Sequence, residues 1–403
     1  MSVSLESIRA AAERIRGAVY RSPCHYSHLL SRFTGAKVYC KLDHLQLTGS
    51  FKERGARNKL AQLSPEQKQR GVIAASAGNH ASALAYHGQQ LGVPVTVVMP
   101  VWAPMTKVSN CRSFGATVVQ QGDSFAEAMT HARQLCEQKK LTYVHGFDDP
   151  DVISGQGTVG LEILEDVPEP DAVIVPVGGG GLIAGVGAAI KALRPATRVI
   201  GVETANAPTY YESRRAGKVV KIDSRFTLAD GLAIAEVGQL CFEIAQKVVD
   251  DVVLVDEAHI ARAVLKLLEM EKQVLEGAGA APLAAMLQRD LDLSGKIVVL
   301  CLCGGNIDVA MLGKVIERGL ASDGRLCRLV CTISDRPGGL AKLTRVLADA
   351  GASVNEITHD RNFAREADVQ SVDAVCVLET RDHDHIRAVR EALSGAGIAV
   401  RES

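Results

Sequence analysis

Aromatic side chains are scarce in this 403-residue sequence: one Trp, seven Tyr and eight Phe make up 4% of it. A chain so poor in flat rings is ill-equipped to stack nucleobases. Net charge is nearly absent too, at −1 from 45 Lys and Arg against 46 Asp and Glu. No field of one sign therefore draws it to nucleic acid or an anionic membrane. No apolar run is long enough to cross a bilayer, and no basic stretch followed by an apolar one stands at the start as a secretory signal. Without such a signal the ten cysteines are expected as reduced thiols rather than disulfides. A soluble, cytoplasmic protein is expected, with neither nucleic acid nor membrane among its partners.

What is present is ordinary globular material, 47% hydrophobic and 23% charged, long enough for two or three domains. From residue 70 short apolar runs alternate with helical patterns. Val72-Ile73-Ala74-Ala75, Val95 to Met99, Thr117-Val118-Val119, Ala172 to Val177, Val199 to Val202 and Ile297 to Leu302 read as buried strands. That alternation predicts an α/β fold with parallel sheets covered on both faces. Arg318 to Gly324 has linker composition, and residues 326–403 read as strand, helix, strand, strand, helix, strand. That order is the ferredoxin-like βαββαβ unit.

Leu47-Thr48-Gly49-Ser50-Phe51-Lys52-Glu53-Arg54-Gly55 places a lysine between small residues and a helix expected over Glu53 to Leu63. Ser50 and Glu53 have capping-box spacing. A lysine near a helix N-terminus feels the positive end of the dipole, which disfavours its protonated form. A neutral amine is what a Schiff-base nucleophile needs. Taken alone, the stretch reads better as an ordinary surface lysine, and it is the distant glycine and asparagine motifs that change this.

Gly178-Gly179-Gly180-Gly181 lies between an apolar strand and a helix beginning near Leu182. Backbone N–H groups free of Cβ atoms, with the helix dipole behind them, make a phosphate site. Gly179 to Ala184 also fits G-x-G-x-x-A, and Glu203 ends the next strand, where a ribose-binding acid would stand. A nicotinamide-dependent oxidoreductase is therefore a competing reading, although it leaves the lysine loop and the turn Ser76-Ala77-Gly78-Asn79-His80 unexplained.

Together, Ser50-Phe51-Lys52-Glu53-Arg54-Gly55, the Ser76 to His80 turn and the tetraglycine loop resemble the pyridoxal-phosphate-dependent threonine/serine dehydratases of tryptophan-synthase-β fold. The match runs in order through residues 5–320 and includes Asp230-Gly231 and Cys303-Gly304-Gly305-Asn306. The C-terminal part resembles an ACT domain, with Asp335-Arg336-Pro337-Gly338-Gly339-Leu340 as its signature loop. The resemblance implies a catalytic domain over 1–320, its smaller lobe (about 45–150) inserted in the larger, and a regulatory ACT domain over 326–403.

By the same resemblance Lys52 holds pyridoxal 5'-phosphate in a Schiff base and later removes the substrate Cα proton. Gly178, Gly179, Gly180, Gly181 and Leu182 bind its phosphate, and Asn79 meets the ring hydroxyl. Phe51 packs near the ring, and Cys303 stands by the ring nitrogen, where a neutral group leaves a weaker electron sink. Ser76, Ala77, Gly78, Asn79 and His80 clamp the substrate carboxylate, although His80 reads equally as a structural turn residue. The implied reaction is removal of water from L-threonine, and also from L-serine, giving a 2-oxo acid and ammonia. Amino-acid regulation through the ACT domain and a homodimer or homotetramer are also implied.

Two departures set the chain apart from the related serine racemases. Ala77 stands where they carry a second serine, and Thr209 where their metal site has an aspartate, though Glu203 and Ala207 match the other ligands. Racemisation is thus disfavoured, no metal ligands are assigned, and the metal question stays open. The alternatives that stay open are a dehydratase for another hydroxy amino acid, such as 3-hydroxyaspartate, and a non-catalytic amino-acid sensor. Cys301-Leu302-Cys303 alternates across a strand, Asp382 to His385 reads as a solvated helix start, and Asp148 to Asp151 as a turn.

Overall fold

The computed structural model describes residues 3–288, 291–360 and 370–402. The chain forms two compact units, Met1–Val309 and Ala310–Ser403. The first holds two sheets. Strands β1 (Cys24–Tyr26), β2 (Lys37–Lys41), β3 (Val72–Ala75), β4 (Val95–Met99), β5 (Thr117–Gln120), β6 (Thr142–Tyr143), β7 (Ala172–Pro176), β8 (Arg198–Thr204), β9 (Asp251–Val255) and β10 (Ile297–Cys301) divide between them. The larger has the order β1-β2-β10-β7-β8-β9 and the smaller β5-β4-β3-β6. All pairings are parallel except β1 with β2. Every residue of β3 and β7 is buried, as the continuous apolar runs require of strands covered on both faces.

Strand order decides where a ligand can sit. The chain leaves β7 toward β8 on one side, whereas β10 lies on the other. In the smaller sheet β4 and β6 flank β3 in the same way. Such reversals open crevices at the carboxyl ends of strands. The turns there are the glycine run after β7, Cys303 to Asn306 after β10, Ser76 to Gly78 after β3 and Val144 to Phe147 after β6.

In the second unit β11 (Leu326–Ser334), β12 (Ser353–Asp360), β13 (Ser371–Glu379) and β14 (Ala399–Glu402) form an antiparallel sheet of order β12-β13-β11-β14. Helices Gly339–Asp349 and His383–Gly395 place Leu343, Leu347, Val389 and Leu393 in one core with Leu329, Cys331 and Cys376. This is the expected βαββαβ order. The segment expected as a linker differs: helix Val309–Ser322 runs through residues 318–322. Its Leu312, Val315 and Leu320 recur at helical spacing, which outweighs the small residues around them.

All ten cysteines are free thiols, seven of them buried. The helix that starts at Lys52 (Lys52–Ala61) is fixed by a sealed ion cluster. Arg54 is fully buried. Its Nη2 donates to Asp43 Oδ1 at 2.7 Å, its Nε to Asp43 Oδ2 at 2.8 Å, and its Nη1 to Glu162 Oε1 at 2.7 Å. Lys41 reaches the same Glu162, and Ser22 Oγ donates to Asp43 at 2.7 Å. Burial alone would raise the Asp43 pKa, but the Arg54 charge and hydrogen bonds bring it down to about 2. Arg54→Ala would strand the buried Asp43 carboxylate and deprive the partly buried Glu162 of its main partner, so it is expected to cost about 3–5 kcal/mol in urea denaturation of the apoprotein.

Candidate active site

Lys52 Nζ donates to the Gly146 carbonyl at 2.7 Å and lies 5.0 Å from the centre of the Phe51 ring. Desolvation pulls its pKa down to about 8, against the opposing pulls of Cys241, Cys303 and Glu276. An amine so placed is available neutral close to physiological pH. The expected Ser50–Glu53 capping box does not form. Ser50 Oγ is buried without a hydrogen-bond partner, no side chain caps the helix, and the Glu53 carboxylate accepts instead from the Thr48 N–H. The loop is held from the other side, where Phe51 N–H donates to the Cys303 carbonyl at 3.1 Å and Ser50 bridges to Gly304.

Gly146 and Phe147 connect the lysine to the glycine run. A Cβ on Gly179 would lie 2.4 Å from the Phe147 ring, and one on Gly178 2.9 Å from the Gly231 carbonyl. Gly180 adopts φ +93° as the N-cap of helix Gly181–Leu193, which no side chain caps. The first-turn N–H groups, including that of the buried Leu182, are therefore left as donors for an anion. Chemically this loop, beside a neutral-capable amine, fits an aldehyde-bearing phosphate ester such as pyridoxal phosphate.

Helix Asn79–Leu91 starts after Gly78, again with no side-chain cap. The Ser76 hydroxyl accepts from the Gly78 N–H at 3.3 Å. The Asn79 amide donates from Nδ2 to Glu276 Oε1 at 2.8 Å and accepts at Oδ1 from Asn306 Nδ2 at 2.9 Å. Ala77 contributes only backbone and a methyl group to this turn. His80 is placed differently from an open substrate donor. Its ring is buried, packs on Gly146 and is hydrogen-bonded through Nε2 to the Val144 carbonyl at 3.2 Å. Burial, aided by Lys52, lowers its pKa to about 3 and keeps it neutral. Cys303 is buried, and desolvation holds its thiol well above the usual range, so it stays uncharged.

Two members of this constellation escape a reading of motifs. Phe147 is silent in sequence. Glu276 offers a signal, an acid directly before the small-residue helix Gly277–Gln288. Burial raises its pKa to about 7.

Glu203, the candidate ribose-binding acid, is fully buried, and its two oxygens accept the Tyr210 and Tyr211 N–H groups at 2.7 Å each. It caps helix Thr209–Ala216 from below rather than facing a sugar. Among the described residues no cluster of three His, Cys, Asp or Glu side chains is placed to hold a metal.

Burial raises the Glu203 carboxyl to about 8 from an ordinary 4.5, although the backbone donors pull the other way. Across that window the folded chain keeps a proton that the unfolded chain releases, so stability falls as pH rises from 4.5 to 8. Glu203→Gln is expected to flatten the decline by on the order of 1 kcal/mol or more, read from urea midpoints at both ends of the window.

Comparison with known proteins bears on this geometry. The family model described as pyridoxal-phosphate dependent enzyme matches residues 15–304. An L-threonine ammonia-lyase of Thermotoga maritima is 45% identical over 399 residues, covering 99% of each chain. The processed threonine deaminase isoform 2 of Solanum lycopersicum superposes with a TM-score of 0.74 at 39% identity, over 78% of this chain and 92% of that one. Maize serine racemase does so with 0.75 at 35% identity, over 80% and 99%. These matches share the two-lobed architecture of fold-type II enzymes. This chain belongs to the family of pyridoxal-phosphate dependent enzymes.

Proposed function

We propose that this chain is an L-threonine ammonia-lyase: water is eliminated from L-threonine, and the enamine released takes up water to give 2-oxobutanoate and ammonia, L-serine giving pyruvate in the same way. The observation that carries the reading is the junction at Gly146-Phe147, where a desolvated lysine amine and an uncapped glycine-lined helix start converge. Relatives that carry the ammonia-lyase name over the whole length of the chain support it.

Bound pyridoxal phosphate supplies an electron sink that acidifies the substrate Cα–H. The chain's own groups do the rest. Residues 178–182 would hold the phosphate with backbone N–H groups, and Lys52 would hold the aldehyde carbon. The neutral Lys52 Nζ would also be the base that accepts the substrate Cα proton. Asn79 would orient the ring from its hydroxyl edge, Phe51 would line the site, and the uncharged Cys303 thiol would stand on the side of the ring nitrogen. The turn Ser76 to His80 would bind the substrate carboxylate through the Ser76 hydroxyl, itself held by the Gly78 N–H, and the first-turn N–H groups of Asn79 and His80, with the His80 ring acting only as a support. Ala77 offers no hydroxyl from which Cα could be reprotonated on the opposite face, which favours elimination over racemisation.

Production of 2-oxo acid from L-threonine, L-serine and threo-3-hydroxyaspartate tests the reading. Threonine is expected to be turned over fastest, and Lys52→Ala to lose at least ~1000-fold in kcat/KM. Capture of pyridoxal phosphate by the apoprotein, followed by absorbance, is expected to speed up as pH rises through about 8 and the lysine loses its proton. No 2-oxo acid from either protein would remove the elimination mechanism.

The second unit is proposed as an amino-acid-responsive regulatory module in a homo-oligomer, on the support of its βαββαβ order and its Arg336 to Leu340 loop. A panel of free amino acids added to the full-length enzyme is expected to contain at least one that changes threonine turnover several-fold. A flat response across the panel would sink the idea.

A further inference from the structure

Asn79 lies within a chain of hydrogen bonds that has acceptors at both ends. At one end is the Thr48 carbonyl, which can only accept. Asn306 Nδ2 donates to it at 2.6 Å and also to Asn79 Oδ1 at 2.9 Å. The Asn79 oxygen is therefore engaged, and its Nδ2 must carry the donors. One of these goes to Glu276 Oε1 at 2.8 Å, the other end of the chain. A single N–H remains for a ligand, so Asn79 can present a donor there and no carbonyl.

The backbone is shaped to admit this carboxylate. A Cβ on Gly304 would lie 2.1 Å from Glu276 Oε1, and one on Gly231 3.6 Å from it. Glu276 N–H donates to the Gly304 carbonyl at 3.1 Å, tying the start of helix Gly277–Gln288 to the loop after β10. Glu276 is buried. Four charged or titratable groups bear on it: Asp230 from the turn 230–232, Lys107 from helix Met105–Ser113, Lys52 from its own helix, and the Cys303 thiol. Asp230 and Lys107 pair with each other at 3.4 Å.

We propose that Glu276 is a positioning residue for the reaction: as a carboxylate it completes, with Asn306, the lock that holds Asn79 in the donor orientation toward the cofactor's ring oxygen, and when protonated it loosens its end of that lock. This rests on the functional reading above, in which Asn79 meets the ring hydroxyl. An ionised Glu276 can only accept, which forces the Asn79 amide one way. A protonated one carries an O–H donor and no longer demands a donor from Asn79, so the orientation then rests on Asn306 alone, held by the Thr48 carbonyl, and the Asn79 amide is less firmly set against the ring oxygen. Burial puts the exchange between these states near pH 7, so turnover and the cofactor's absorption should both change as the pH crosses that region, with the active form above it.

The experiment is a double-mutant cycle on holoenzyme with absorbance and kcat/KM recorded against pH. Wild type and Lys52→Ala come first: absence of a lysine-dependent absorption band in wild type would overturn both the functional reading and this proposal. With the band present, Glu276→Ala is expected to lower kcat/KM on the order of tenfold to a hundredfold and to shift the band. In an Asn79→Ala background the same change should cost less than about twofold, because the partner is already gone. Glu276→Gln keeps an acceptor oxygen, so it should fold and bind cofactor within about threefold of wild type but lose the pH dependence near 7. Should Glu276→Ala fail to fold, Glu276→Gln decides by its pH profile. Multiplicative losses in the cycle, or a Glu276→Gln profile that titrates like wild type, would overturn the positioning role while leaving the functional reading intact.

Discussion

Arg54 stands two residues beyond Lys52 with no solvent exposure, and two carboxylates from distant parts of the chain, Asp43 and Glu162, meet its guanidinium. Such a cluster is weak evidence for stability in itself, because desolvating three charges offsets much of their attraction. Its effect is geometric. The fork of a guanidinium accepts carboxylates in a few directions only, so the helix start carrying Lys52 is fixed against the turn after β2 and against helix Pro150–Asp166. Lys41 and Ser22 extend the lock to neighbouring segments. A reactive amine close to its pKa needs this rigidity, since a small displacement toward solvent would restore its hydration and its proton.

The two sheets solve a related problem, bringing short loops from remote positions to one place. Each has a reversal of strand order, and the turns at these reversals carry the glycine run, the Cys303 loop, the Asn79 turn and Gly146-Phe147. Glycine recurs among them for steric reasons that differ from site to site. Gly179 is pressed on an aromatic ring, Gly304 makes room for a carboxylate, and Gly180 needs a left-handed backbone. Small loops on rigid strands also leave helix starts uncapped at both Asn79 and Gly181, which gives the crevice two separate sets of N–H donors suited to anions.

Much of this was legible in the sequence, for identifiable reasons. The strands were readable where apolar runs are continuous, as at Val72 to Ala75 and Ala172 to Pro176, because burial on both faces leaves no polar positions to blur them. The lysine, the tetraglycine and the Asn79 turn stood out because their chemistry is local. What stayed hidden is non-local. Asp43 and Glu162 lie 11 and 108 residues from Arg54, and Glu276 lies 197 from Asn79, so no spacing rule joins them. Ser50 and Glu53 matched a capping pattern, but the strand-like bridge from Ser50 to Gly304 turned the hydroxyl away and left Glu53 to Thr48. His80 shared the turn with its neighbours in sequence, yet the start of a helix points successive side chains in different directions, and its ring went to the core. Residues 318–322 looked like a linker because small residues dominate there, whereas the periodic apolar positions kept the helix going.

The thiols lend the molecule a property unrelated to its chemistry. Only a thiolate reacts readily with an alkylating reagent, and burial raises the pKa values of Cys40, Cys241, Cys301 and Cys303 far enough that these sites are silent while the fold is closed. They lie in the core of the catalytic unit, whereas Cys331, its thiol raised by the hydrogen bond with Cys376 and by burial, lies in that of the C-terminal unit. Each unit thus contains its own chemical clock, and the mass gained under a pulse of label would count how often each one opens, separately and without any engineered probe.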